Sequence, residues 1–155
     1  MYIDYLYNHP EFIYIVSNWI YSEFVLKSQG TLSLNEVINY FSNTKSTTLP
    51  LTLIAVINNE CVGTISLFEN DLKTQNNLTP WLASLYISPH YRNKGIAKKL
   101  IDKIPLVVKK LGFKELYLRT EHTSEYYTRL GWILVYKTYD EKVLETEVYK
   151  LSITN

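Results

Sequence analysis

Apolar residues change their spacing several times along the chain, and each change predicts an element. After Pro10, the residues Phe12, Ile13, Val16, Trp19, Ile20 and Phe24 recur at helical spacing, which predicts a first helix from about Pro10 to Leu26. Before it, Met1 to Tyr7 alternates loosely and reads as a first strand. Ser33 followed three residues later by Glu36 is a capping-box pattern, and Val37, Ile38 and Phe41 supply the apolar stripe of a second helix. The period then shortens. Leu51 to Ile57, a turn at Asn58-Asn59, and Cys61 to Phe68 read as a β-hairpin. A polar loop over 69–80 leads into a third apolar run, Trp81 to Ile87, which Ser88-Pro89 stops.

Beyond it, Ile96, Ala97, Leu100, Ile101, Ile104, Val107, Val108 and Leu111 share one helix face and Lys98, Lys99, Lys103, Lys109 and Lys110 the other, with Gly112 as the stop. Pro105 lies inside that helix and predicts a kink, because it has no N–H for the Ile101 carbonyl. A strand over 115–120, a short helix over 124–131, and strands over Trp132 to Lys137 and Val143 to Leu151 complete the chain. The resulting order is strand, two helices, three strands, a long helix, a strand, a short helix and two strands. It predicts an α+β fold with a mostly antiparallel sheet of six to seven strands, about four helices, and one crossover helix where strands run parallel.

The 155 residues suit a single domain over 1–155, with no repeat or low-complexity tract to divide it. A formal net charge of +1 gives no field that would draw a polyanion or a membrane surface, so no nucleic-acid partner is expected. One cysteine, Cys61, excludes an internal disulfide, and His9, His90 and His122 have no zinc-like spacing, so no metal is expected. The opening MYIDYLYNHPEF has acids and amides where a signal peptide carries basic residues and an apolar run. No later apolar stretch approaches the ~18 residues of a membrane span. The expectation is a cytoplasmic protein. Fourteen tyrosines suit strands and half-buried surfaces.

Chemistry concentrates in 81-WLASLYISPHYRNKGIAKKL-100, where an apolar strand meets a short loop and a helix opens with no acid in its first turn. Gly95 lets the backbone turn tightly, the first helical N–H groups lack intrahelical partners, and Arg92, Lys94 and Lys98 add charge at the same end. A diphosphate is the natural guest of such a loop, although a solvated basic helix start has the same local pattern. Arg92-Asn93-Lys94-Gly95-Ile96-Ala97 resembles the Arg/Gln-x-x-Gly-x-Gly/Ala signature of the GNAT acyltransferase superfamily. Tyr127-Thr128-Arg129-Leu130-Gly131-Trp132 is similar to that family's Tyr-x-x-x-Gly-Phe element. The order of elements agrees over nearly the whole chain. Two departures stand out: Ala97 replaces the second glycine, and 120-TEHTS-124 lacks the asparagine many members carry near the pantetheine arm.

The resemblance implies acetyl transfer from acetyl-CoA to an amine, with a small molecule such as an amino acid or polyamine as the expected acceptor. A peptide or protein N-acetyltransferase and a non-catalytic acyl-CoA sensor are the alternatives. It implies main-chain bonds from Leu85 and Ile87, either side of Tyr86, to pantetheine, and the N–H groups of Asn93, Lys94, Gly95, Ile96, Ala97 and Lys98 for the diphosphate. Tyr127 would protonate the leaving thiolate. A base is needed because the amine attacks in its neutral form. Glu69 ranks first, Asp71 second and His122 third. Trp81, Trp19 and Tyr21 are expected to line an aromatic acceptor pocket suited to a cation. Homodimers are among the states the resemblance allows, with 143–152 as a candidate edge.

Overall fold

The computed structural model describes residues 1–75, 77–120, 123–140 and 142–153, and in it the apolar runs become strands and the longer-period stretches become helices. The strands are β1 Tyr2–Tyr5, β2 Leu51–Ile57, β3 Glu60–Phe68, β4 Trp81–Ile87, β5 Glu115–Thr120, β6 Ile133–Tyr139 and β7 Glu145–Ser152. The α-helices are α1 Ile13–Ile20, α2 Leu34–Ser42, α3 Ile96–Lys110 and α4 Ser124–Arg129. The strands form one sheet in the order β1-β2-β3-β4-β5-β7-β6. The β1–β2, β2–β3, β5–β7 and β6–β7 pairs are antiparallel, and β4–β5 is parallel. This is the expected α+β architecture. The chain divides into two compact units, Met1–Leu67 with Ser84–Lys103, and Phe68–Ala83 with Ile104–Asn155.

In the first unit, Asn58 and Asn59 both take positive φ, 49° and 65°, the left-handed pair that a two-residue hairpin turn requires. The β2 and β3 strands are buried on both faces, which is why their sequences run apolar without alternating. Their buried hydroxyls bond locally: Thr52 Oγ1 lies 2.8 Å from Ser66 Oγ, and Thr64 Oγ1 donates to the Leu53 carbonyl at 3.0 Å. Gly63 answers a close approach. A Cβ there would fall 2.8 Å from Ile87 Cδ1 and 3.3 Å from the Tyr86 carbonyl oxygen. Gly63→Val is therefore expected to lower stability by about 1–3 kcal/mol in urea unfolding. An unchanged midpoint would show that the end of β4 yields easily.

The first helix departs from the single stripe read in the sequence. Pro10–Phe12 is a 3₁₀ turn, α1 follows, and Tyr21–Leu26 is π-helical. A π turn closes i→i+5 bonds and carries one residue more than an α turn. The extra residue shifts the buried position, so Val25 enters the core while Phe24, expected on the apolar stripe, is 44% exposed. The α2 cap forms as predicted: Ser33 Oγ accepts from the Glu36 N–H and Glu36 Oε1 accepts from the Ser33 N–H, both at 3.1 Å. Val37 and Phe41 join Leu6, Val16, Ile20, Val25, Ile54, Val56 and Cys61 in this unit's core.

In the second unit, Trp81 pairs with Tyr117, whose N–H donates to the Pro80 carbonyl at 3.0 Å. The segment expected as a sheet edge, 143–152, is not one. β7 pairs with β5 from Glu115↔Ser152 to Thr120↔Glu147 and with β6 on its other side, which leaves β6 outermost. The strand starts at Glu145 rather than Val143. Val143 has φ 61° in a turn where the Asp140 carboxylate accepts the Lys142 and Leu144 N–H groups. β6 likewise begins one residue late, because the Trp132 N–H is given to the Tyr127 carbonyl. Helix α3, which passes from the first unit into the second, runs from Ile96 to Lys110 with Pro105 inside it and buries Ile96, Leu100, Ile101, Ile104, Val107 and Val108. Among the described residues no helix is long and apolar enough to cross a membrane.

Candidate active site

The turn opening α3 is held, within the first unit, by Ser84–Ile87 of β4 and by Glu60 and Val62 of β3. Midway along β4, Ser84 takes φ 55°, which interrupts the regular strand; Leu85 and Tyr86 are half-buried and Ile87 buried. The Ser88 N–H then donates to the Val62 carbonyl at 2.9 Å, and the Tyr91 hydroxyl donates to Glu60 Oε2 at 3.3 Å, so the chain leaving β4 is fastened to β3. The Glu60 carboxylate raises the pKa of the Tyr91 phenol. Arg92 donates Nε–H to the Ile87 carbonyl at 2.8 Å, with its guanidinium carbon 5.2 Å from the Tyr86 ring centroid. Lys94 Nζ lies 5.5 Å from the Tyr91 ring centroid.

Two left-handed residues follow, Asn93 at φ 63° and Gly95 at φ 81°. The Gly95 carbonyl accepts the Lys99 N–H at 3.2 Å, so the N–H groups of Ile96, Ala97 and Lys98 precede any intrahelical acceptor. A Cβ on Gly95 would meet no protein atom within 4 Å, so the glycine serves its φ and leaves open space beside the turn. Exposed N–H groups in a left-handed turn at a helix start, with no acid in the first turn, suit a diphosphate. Lys98 is less available than its position suggested, since its Nζ sits 2.6 Å from Asp102 Oδ2. Trp19 lies with its ring 5.3 Å from that of Tyr86, and both rings, with Tyr21, pack against the first unit's core.

The second unit carries Tyr127, Glu69 and Asp71. Tyr127 lies on α4, where Gly131 at φ 96° ends the helix and the Tyr127 carbonyl accepts the Leu130 and Trp132 N–H groups at 3.0 and 3.1 Å. Its ring meets those of Tyr126 and Trp132 edge to face, with centroids 5.3 and 6.0 Å away. Burial, with Tyr126 as a lesser cause, pushes the phenol up to about 12, so the hydroxyl keeps its proton at neutral pH and is able to donate it.

Glu69 is exposed just beyond β3, whereas Asp71 is half-buried, with its Oδ2 3.5 Å from Arg119 Nε. Side chains along 69–80 tie that loop to β6: Thr74 Oγ1 donates to the Tyr139 carbonyl at 3.0 Å and the Tyr136 hydroxyl to Gln75 Oε1 at 2.5 Å. Trp81, expected to line an acceptor pocket, is instead wholly buried with Leu72, Tyr117 and Val148, its indole N–H given to the Leu78 carbonyl at 2.6 Å. A tryptophan satisfied in this way belongs to the core. His122 lies outside the described residues.

Two partnerships are not legible in the sequence: Arg119, which interrupts the strand 115-ELYLRT-120, with Asp71, and the Tyr86 ring with Arg92. Among the described residues no group of three or more His, Cys, Asp or Glu is arranged to hold a metal ion.

A sequence profile of the Acetyltransferase (GNAT) family matches residues 5–132. Among curated protein sequences, none matches the chain. Solved structures share the fold. An aminoglycoside 6'-N-acetyltransferase complexed with coenzyme A superposes with a TM-score of 0.78 at 18% identity, over 100% of this chain and 98% of that one. The aminoglycoside 6'-N-acetyltransferase from Enterococcus faecium gives 0.75 at 18% identity over the same shares. A GNAT-family acetyltransferase from Staphylococcus aureus Mu50 gives 0.69 at 20% identity, over 99% of this chain and 100% of that one. With the family profile spanning most of its length, the chain belongs to the GNAT family of acetyltransferases.

Proposed function

We propose that the protein transfers an acetyl group from acetyl-CoA to the primary amine of a small molecule such as an amino acid or polyamine. The observation that carries this reading is the turn at Asn93–Gly95, whose left-handed residues lead into α3, where the first N–H groups precede any intrahelical acceptor and the first turn holds no acid. The N–H groups of residues 93–98 hold the diphosphate, and main-chain groups of Leu85 and Ile87 take the pantetheine. When bound, acetyl-CoA supplies the thioester that the amine attacks: a C–N bond forms and the C–S bond breaks. Glu69, or Asp71 in its place, takes the proton the amine must lose, directly or through water. Tyr127, protonated at neutral pH, supplies the proton the thiolate gains, so the proton count closes.

The acids at 69 and 71 suit a cationic acceptor through carboxylate pairing, and in the first unit the half-buried rings of Trp19 and Tyr21 are of the kind that takes a cation by cation–π contact. The test is thiol release from acetyl-CoA with the purified protein across amino acids, polyamines, aminoglycosides and short peptides. Release with one of the small-amine classes is expected. Release with peptides alone would make the protein a peptide N-acetyltransferase, and CoA binding with no release from any acceptor would make it an acyl-CoA sensor.

A further inference from the structure

We propose that Arg92 acts by positioning: clamped over the Tyr86 ring and onto the Ile87 carbonyl, it holds the anion-binding turn in its left-handed shape, and it is not one of the charges that neutralise the anion. The ligand in question, a diphosphate, rests on the acyltransferase reading; the clamp itself does not.

Arg92 is the residue immediately before the turn, with an extended backbone of φ −75° and ψ 157° leading directly into Asn93 at φ 63°. Asn93 and Gly95 take left-handed φ on either side of Lys94, and at the asparagine, which unlike glycine carries a Cβ, that conformation costs free energy that a neighbouring contact can offset. The side chain of Arg92 supplies that contact. Its Nε–H reaches back five residues to the last carbonyl of β4 at 2.8 Å, and its guanidinium carbon lies 5.2 Å from the Tyr86 centroid. The anchor is firm on the strand side. Tyr86 meets Trp19 at 5.3 Å and packs on the unit's core, and Ile87 is buried where Gly63 allows close approach. The guanidinium makes both contacts from one group, Nε–H donating to the carbonyl while Cζ lies over the ring, whereas an ammonium is a point charge. The two roles therefore separate chemically. A charge on the anion would be replaceable by lysine, and a clamp would not.

The measurement has two arms. In the protein without CoA, backbone ¹⁵N order parameters at Asn93–Gly95 are expected to fall from the rigid range near ~0.85 toward ~0.6 or below in Arg92→Gln and in Tyr86→Leu. In the second arm, the affinity for CoA is titrated at fixed ionic strength. Arg92→Gln and Tyr86→Leu are each expected to weaken it about fivefold, the size of one cation–π contact. Arg92→Lys gives no recovery, Tyr86→Phe recovers most of the Tyr86→Leu loss, and the double variant is no weaker than the weaker single one. Recovery with lysine, or losses that multiply in the double variant, would overturn the proposal, as would order parameters that stay at the wild-type level. A wild-type protein that binds no CoA would remove the acyltransferase reading, and the first arm would still decide whether the clamp exists.

Discussion

Tyr127→Phe is expected to lower kcat by about a hundredfold, with the KM for acetyl-CoA changing less than about twofold, because a positioned general acid contributes on that order. The substitution removes one hydroxyl and keeps the ring that packs edge to face on Tyr126 and Trp132, so the local fold survives and the loss reads as chemistry. The pH dependence follows from the sign of the shift. Burial raises the phenol to about 12, so the donating form persists across the neutral range and is depleted only as pH climbs toward that value. The acceptor amine moves the opposite way, since its neutral, attacking form grows as pH rises. The wild-type kcat should therefore increase through the alkaline range and fall only near about 12, provided the protein stays folded, and the phenylalanine variant should lose the falling limb. An unchanged turnover number would remove Tyr127 from the mechanism.

Gly95→Ala should weaken CoA binding by about tenfold, because a non-glycine residue in the left-handed region costs roughly 1–2 kcal/mol, or about one order of magnitude in affinity. Nothing in the protein would obstruct the added methyl group, which meets no atom within 4 Å. The cost is therefore the backbone conformation at φ 81°, and folding should be little affected while the turn relaxes. Gly95→Asn, a residue that visits this region more readily, should lose less than alanine. Titration of CoA into the three proteins checks the order glycine, asparagine, alanine. If alanine binds as tightly as glycine, the anion does not depend on this turn.

Local chemistry makes much of this protein legible in its sequence. The capping box at Ser33 and Glu36, the Asn58-Asn59 hairpin and the helix stop at Gly112 are each decided within a few residues, and each forms as read. The left-handed glycine at Gly95 and the helix start at Ile96 belong with them, because both are local features. What escaped depends on partners far away in sequence. Whether a tryptophan lines a pocket or fills a core is settled by its surroundings, and Trp81 is placed by Leu72, Tyr117 and Val148. That Asp71 faces Arg119 requires knowing that the 69–80 loop and β5 meet. The identity of the edge strand requires the order of β5, β7 and β6, which no single segment encodes. Apolar side chains on β6, with Ile133 66% exposed, look like ordinary strand residues until that order is known.

The π turn at Tyr21–Leu26 has a bearing on how this chain is matched to its relatives. At 18–21% identity over structures such as the aminoglycoside acetyltransferases, correspondence between helices rests mainly on hydrophobic phase. An uninterrupted 3.6-residue period drawn from Ile13 to Leu26 puts Phe24 inside and Val25 outside, the reverse of what the backbone does. Against a helix that is α-helical throughout, a single-residue gap belongs within 21–26, and positions after it, up to the capping box at Ser33, are displaced by one when the gap is left out.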